Sequence, residues 1–267
     1  MEDLSIALSC MRSEAGDITG NLDSMLRRIR EAERLGADLI VFPELSLTGY
    51  SMSPGGFCSI ERDSPEIGIL ERASAGIAVC FGYADKEGYI VQAIAEGGKT
   101  AGEYRKTHLG EAEAARMKPG DSLDIIHTRK ADIGIQLCWE SHFPDITRTY
   151  AVEGADLVLM PTASGLSPER RIDVWSRILP ARAYDNSVYV AAVNASGGNG
   201  HGVEFGGCAM ALDPSGRVIS GDSSGKDVTV TAEMLAEPLE TIRNGNGYST
   251  MRNVHYLAGR RPELYRD

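Results

Sequence analysis

One phrase occurs in two places in this chain. Gly36-Ala-Asp-Leu-Ile-Val-Phe-Pro43 returns as Gly154-Ala-Asp-Leu-Val-Leu-Met-Pro161. Each copy is a helix-ending glycine, a short apolar run and a proline that closes it, which reads as a buried strand. Before the first copy, Leu4, Ile6 and Leu8 alternate with polar or small residues, the spacing of a strand. Leu22, Met25, Leu26, Ile29, Ala32 and Leu35 then fall on one face of a helix over 21–35. Before the second copy, 131–137 reads as a strand and 145–153 as a helix. Two strand–helix–strand units predict an α/β architecture with related halves. The alternative is chance recurrence of a common helix–Gly–strand–Pro grammar.

Between the copies, 77–83 and 89–95 read as strands around the turn Asp85-Lys-Glu-Gly88, and 123–128 as another. After the second copy, 170–186 reads as a helix that Pro180 kinks or divides. Strands follow at 188–193, 207–212, 217–220 and 227–231, with Asp213-Pro-Ser-Gly216 as a turn. No Ser/Gly-rich linker divides the 267 residues, so a single domain over 1–267 is expected.

Composition removes several classes. A net charge of -11 argues against a nucleic-acid partner, which calls for a basic face. No apolar run approaches the ~20 residues of a membrane span. Met1-Glu2-Asp3-Leu4 lacks a basic-then-apolar leader, so a cytoplasmic location is expected. Cys10, Cys58, Cys80, Cys138 and Cys208 are scattered without C-x-x-C spacing. Neither a zinc site nor a disulfide framework is suggested, and no cofactor is implied.

Three segments combine reactive side chains with strand ends. Glu44 directly follows the first echoed strand, where the active-site residues of open α/β sheets gather. It reads either as a general base, its pKa raised by the apolar surroundings, or as an ordinary loop glutamate. Lys106, in Glu103-Tyr-Arg-Lys-Thr-His-Leu109, reads as a cation for an oxyanion or as a solvated charge. Cys138 ends an apolar strand, and Pro144 is placed for the first turn of the next helix. That is the grammar of a nucleophile elbow, in which the helix N-terminus favours thiolate. A buried structural cysteine is the plain alternative. Together they form one set: a thiol attacks, a carboxylate moves protons and a lysine receives developing negative charge.

Here the sequence resembles the nitrilase superfamily, the carbon–nitrogen hydrolases. The resemblance rests on an ordered series over nearly the whole chain. It begins with Pro43-Glu44, Gly49-Tyr50, Tyr104-Arg-Lys106-Thr-His-Leu109, Cys138-Trp-Glu and Phe143-Pro-Asp145. It continues with Gly154-Ala-Asp-Leu, Ala181-Arg-Ala183, Val188-Tyr-Val190 with Asn194, Asp213-Pro-Ser-Gly216 and Arg260-Arg-Pro-Glu-Leu-Tyr265. It implies a four-layer α–β–β–α sandwich with pseudo-two-fold halves, and homodimers or larger homo-oligomers built through helix faces. It places the catalytic glutamate, lysine and cysteine on Glu44, Lys106 and Cys138. A second glutamate falls on Glu113 or, by a slip in Glu-Ala-Glu, on Glu111. The backbone N–H of Trp139 is implied as the second oxyanion donor. Tyr50, Trp139, Glu140, His142, Thr162 and Ala163 are candidate substrate contacts. For Tyr50 and Trp139 core packing is the other reading, and for His142 a structural or surface histidine.

The resemblance implies hydrolysis of a non-peptide carbon–nitrogen bond through a thioester acyl-enzyme, releasing ammonia or an amine. Ser141-His-Phe-Pro144 after the nucleophile looks like amidases and carbamoyl-amine hydrolases. A small linear amide or N-carbamoyl substrate is therefore expected, ahead of a nitrile and of amide-forming acyl transfer. A non-catalytic binding protein is the alternative from another class, and the presence of Glu44, Lys106 and Cys138 together argues against it. A papain-like protease would need a histidine partner. None of His108, His127, His142, His201 or His255 lies in a recognisable protease motif.

Overall fold

The computed structural model describes residues 1–244 and 256–265. The alternating run at the start forms β1 (Leu4–Cys10), and the helical spacing after it becomes α1 (Ile18–Arg34). Asp17 caps α1 by accepting from the Gly20 N–H at 3.0 Å. Leu22, Met25, Ile29 and Ala32 are buried along one stripe. Leu35 is 63% exposed, against expectation. It lies just past the last helical residue, where the chain turns away through Gly36 at φ +78°.

The first half continues through β2 (Leu39–Val41), α2 (Pro65–Ala73), β3 (Ala78–Ala84), β4 (Ile90–Glu96), β5 (Lys99–Arg105) and the one-turn α3 (Glu111–Ala114). The second contains β6 (Ile126–His127), β7 (Asp132–Ile135), α4 (Pro144–Val152), β8 (Leu157–Thr162), α5 (Pro168–Asn186) and β9 (Tyr189–Asn194). It ends with the ribbon β10 (Gly197–Gly198) and β11 (Glu204–Phe205), then β12 (Gly207–Leu212), β13 (Val218–Gly225), β14 (Val228–Met234) and α6 (Ala236–Asn244). Pro180 neither kinks α5 into two helices nor ends it: a single helix spans the proline. Of the strand expected over 123–128, only Ile126 and His127 pair.

Two six-stranded sheets result, ordered β14-β1-β2-β3-β4-β5 and β6-β7-β8-β9-β12-β13. In each, the second, third and fourth strands are parallel and the remaining three pair antiparallel. The two echoed phrases supply β2 and β8, the third strand of each sheet. The internal repeat is therefore a repeat of topology, not chance.

Period-2 alternation explains the layers. Leu4, Ile6, Leu8, Leu39 and Val41 meet Leu157, Leu159, Tyr189, Ala191 and Val193 in a core between the sheets. Ala7, Ile40 and Phe42 point the other way, against α1 and α2. Val158, Met160, Val190 and Ala192 pack likewise against α4 and α5, through Ile146, Tyr150, Trp175 and Leu179. The order is α–β–β–α, as expected. Strands buried on both faces read as continuous apolar runs, which is how β2 and β8 appear in the sequence. Among the described residues, no helix is long and apolar enough to cross a membrane.

Candidate active site

The site is built where strands of the two sheets end. β7 runs through Gln136 and Leu137 into Cys138, which sits at φ +45°, a left-handed conformation uncommon for a residue with a Cβ. A 3-10 turn over Cys138–His142 follows, and α4 begins at Pro144. Three groups hold the turn. The Glu140 N–H donates to Leu137 O at 2.8 Å, and Ser141 Oγ donates to Cys138 O at 2.8 Å. Gln136 Nε2 donates to Glu140 O and Phe143 O, while Thr147 Oγ1 donates to Gln136 Oε1 at 2.6 Å. The first bond inside the turn begins at Glu140, so the N–H groups of Cys138 and Trp139 lie ahead of it.

Glu44 leaves β2 through Pro43, and the loop behind it is fastened to the end of β3. The Gly82 N–H donates to Ser46 Oγ at 3.1 Å and the Ala84 N–H to Thr48 Oγ1 at 3.2 Å. Lys106 follows β5, its N–H donating to Ile90 O at 2.9 Å. Gly120 donates to Lys106 O at 2.8 Å. A Cβ on Gly120 would lie 2.3 Å from Arg105 O, so only glycine lets the two segments approach this closely.

The two carboxylates converge on the lysine. Lys106 Nζ donates to Glu44 Oε1 at 2.7 Å and to Glu113 Oε1 at 2.8 Å, with all three side chains buried. Glu111 is exposed and stays outside the cluster. Glu113 is selected by its phase in α3: its Oε2 accepts from the Gly110 N–H at 2.8 Å, three residues back, as in a capping box. Tyr50 OH donates to Glu113 Oε1 at 3.1 Å, and the Ala163 N–H to Glu44 Oε2 at 3.2 Å.

Two carboxylates around one ammonium leave a net negative, desolvated cluster. Burial therefore pushes Glu44 up to about 7, with Lys106 opposing and Glu113 reinforcing. Lys106 is held well above its ordinary value: burial opposes its charge, but Glu44, Cys138 and Glu113 outweigh burial. Burial, and then Glu44, push the Cys138 thiol up to about 12. The expected thiolate-favouring effect of the helix N-terminus does not prevail, because burial, and then Glu44, raise the thiol by more than Lys106 lowers it. A resting thiol beside a carboxylate of pKa near neutrality is an arrangement for base-assisted attack.

Glu140 is not placed for substrate contact. It is fully buried and its carboxylate is occupied by the protein. Oε1 accepts from Tyr104 OH (2.7 Å), Thr107 N (2.8 Å), Thr107 Oγ1 (2.7 Å) and His108 N (3.0 Å), and Oε2 from Leu137 N (2.7 Å). It ties the Lys106 loop to the Cys138 elbow across the gap between the sheets. Glu140→Gln puts an NH₂ among these donors and is expected to destabilise the fold by about 1–3 kcal/mol. Thermal unfolding measures this, and an unchanged midpoint would show that the clamp does not hold the two loops.

Residues 5–244 match the carbon–nitrogen hydrolase family model. The chain belongs to the carbon–nitrogen hydrolase family. It is similar to a hydrolase of Pseudomonas protegens, 32% identical, over 94% of this chain and 87% of that one. N-carbamoylputrescine amidase of Arabidopsis thaliana is 26% identical over 94% and 90%. The nitrilase-superfamily amidase of Nesterenkonia sp. AN1, solved with butyramide bound to a cysteine-to-alanine variant, superimposes with a TM-score of 0.83. It is 26% identical, over 98% of this chain and 95% of that one. Another structure of that amidase carries the acetamide moiety of fluoroacetamide covalently on its active-site cysteine.

In this carbon–nitrogen hydrolase the remaining expected contacts divide. Trp139 is 49% exposed, tilted against His142 and edge-on to Phe143, with ring centroids 5.3 and 6.4 Å away. His142 is exposed beside it. Tyr50 is half-buried, edge-on to Phe205 at 6.2 Å. Thr162 is buried and its hydroxyl donates to Met160 O at 3.2 Å. Ala163 donates its N–H to Glu44, and its methyl packs with Phe205 and Tyr50. Among the described residues no histidine hydrogen-bonds Cys138, and His255 lies outside them. Nor does any group of His, Cys, Asp and Glu among them suit a metal ion. Sequence reasoning missed Gln136 and Arg171. The last had a signal: it lies four, eight and twelve residues before Trp175, Leu179 and Ala183, on the buried stripe of α5.

Proposed function

We propose that this chain hydrolyses the carbon–nitrogen bond of a small linear amide or N-carbamoyl compound through a thioester on Cys138. The observation that carries the reading is Lys106 clamped between Glu44 and Glu113, all three within the electrostatic reach of Cys138. The Nesterenkonia amidase, with butyramide bound in one structure and the acetamide moiety of fluoroacetamide on its active-site cysteine in another, supports the same class.

Glu44 takes the Sγ proton as Sγ attacks the carbonyl carbon. Lys106 Nζ and the Trp139 N–H hold the oxyanion. The proton on Glu44 passes to the leaving nitrogen, the C–N bond breaks and ammonia or an amine departs. Glu44 then takes a proton from water, hydroxide adds to the thioester, and the acid leaves as the thiol recovers its proton. Glu113 and Tyr50 keep Lys106 in place. Because Glu44 must begin as a carboxylate, kcat/KM should rise with pH through about 7. A pH profile measures this, and a flat profile from 5 to 8 would refute Glu44 as the base.

The test is ammonia release over a panel of amides, N-carbamoyl amines and nitriles, with iodoacetamide-treated protein alongside. Mass spectrometry should find Cys138, which is only partly buried, modified in step with lost activity, while Cys10, Cys80 and Cys208, which are buried, stay free. Inactivation that tracks another cysteine would overturn the assignment. Homodimerisation belongs to the same reading, with exposed apolar Val152 at the end of α4 and Trp139 as its support. A fully active monomer in sedimentation would remove it.

A further inference from the structure

Arg171 lies in the first turns of α5 and is 5% exposed. Its Nη2 donates to Ser164 Oγ, and its guanidinium carbon lies 5.6 Å from the Trp175 ring centroid. Its Nε is buried without a hydrogen-bond partner. Among the described residues no Asp or Glu pairs with it, although the chain carries 38 acidic side chains against 27 Lys and Arg. Arg182, the other arginine near the elbow, donates to Ser141 O at 3.1 Å and has Asp185 and Asp145 in its field. Arg171 has neither.

Buried charges are otherwise paired, because an unpaired cation in a desolvated site is strongly unfavourable. The position of this one is specific. Ser164 follows Ala163, whose N–H holds Glu44, and the Ser164 N–H donates to Asn194 Oδ1 at 2.9 Å. Arg171 is thus fixed on the wall that carries the base. Its charge is felt by Cys138 and by His142. The reaction sequence gives it no task, since Lys106 receives the oxyanion. A guanidinium offers a planar fork that matches a carboxylate.

We propose that Arg171 recognises an anionic group of the substrate, so that the molecule whose C–N bond is cut carries a carboxylate away from the scissile amide. This rests on the hydrolytic reading above and narrows it. A substrate with an amine at that end meets the guanidinium as a like charge.

The experiment compares matched pairs: succinamate with succinamide, glutaramate with glutaramide, and N-carbamoyl-β-alanine with N-carbamoylputrescine. In the wild type, kcat/KM should favour the anionic members by on the order of 10²-fold. Arg171→Gln should remove that preference, lowering kcat/KM for the anions while the neutral diamides change by less than about threefold. Arg171→Lys should restore part of it. An equal loss for both members of a pair would mark Arg171 as a support for the thiol or the fold and overturn the proposal. So would a wild type that prefers neutral or cationic members. Should the Gln variant not fold, inhibition of the wild type decides: glutarate should compete far better than 1,5-diaminopentane, and equal inhibition overturns the proposal. Hydrolysis without charge preference overturns this inference alone. Absence of ammonia release from every member overturns the hydrolytic reading and this inference with it.

Discussion

Cys138→Ala is expected to reduce ammonia release to the uncatalysed background, a loss on the order of 10⁵-fold or more in turnover, with the fold intact. The first half follows from the chemistry proposed. Without Sγ no thioester forms, and Glu44, Lys106 and Glu113 remain with nothing to activate toward the carbonyl. The second follows from the turn. Cys138 already sits at φ +45°, and alanine meets the same steric penalty there, so no new strain enters. The bonds that shape the elbow use the main chain of position 138 and the side chains of Ser141, Gln136 and Glu140. The sulfur also sits beside carboxylates that disfavour its ionised form, so its removal deprives the fold of no ion pair. An unfolding midpoint within a few degrees of wild type and the absence of iodoacetamide labelling at this position complete the expected result. Residual turnover above about 1% of wild type would sink the covalent mechanism, because removal of a nucleophile leaves far less than that.

The contrast between what sequence reveals and hides has a physical basis in this molecule. β2 and β8 were legible because both faces of each are buried, which forces an unbroken apolar run and a recognisable echo. β5 was not: Lys99-Thr-Ala-Gly-Glu-Tyr-Arg105 is the edge of its sheet, mostly half-buried or exposed, and needs little apolar patterning. Glu44, Lys106 and Cys138 were legible as reactive groups at strand ends and by resemblance. The choice between Glu113 and Glu111 turned on the phase of a single helical turn, and Gly110-Glu-Ala-Glu113 carries the capping-box spacing that decides it. The role of Glu140 had no local signal. Four of its five donors come from residues 104–108, brought near only when the two sheets pack. Short-range pattern reports burial; it does not report which distant donors a buried carboxylate will meet.

Lys106→Met is the second large effect, and it should remove activity and stability together. The ammonium is the shared partner of two buried carboxylates. Without it Glu44 and Glu113 face each other uncompensated, a loss of about 3–5 kcal/mol for a broken buried pair. Turnover should fall by on the order of 10²–10³-fold from the missing oxyanion donor alone. The fall should be larger at neutral pH, where a carboxylate raised still higher stays protonated and cannot act as a base. The sign of the pH dependence separates this from simple loss of packing. Glu44 already has a folded pKa above its unfolded value, and loss of Lys106 moves it further up. An acid so shifted binds more protons folded than unfolded, so its contribution to stability is most favourable below the unfolded pKa and is lost as pH rises through the folded one. The difference in unfolding midpoint between wild type and variant should therefore be smallest near pH 5 and widen toward pH 8. Adding Glu113→Gln removes one of the facing charges and should recover part of the stability at pH 8 while leaving turnover low. A gap that stays constant across this range would mean that the lysine contributes volume and not charge. Recovery of turnover in the double variant would mean that Lys106 serves only to quiet two carboxylates and that another group holds the oxyanion.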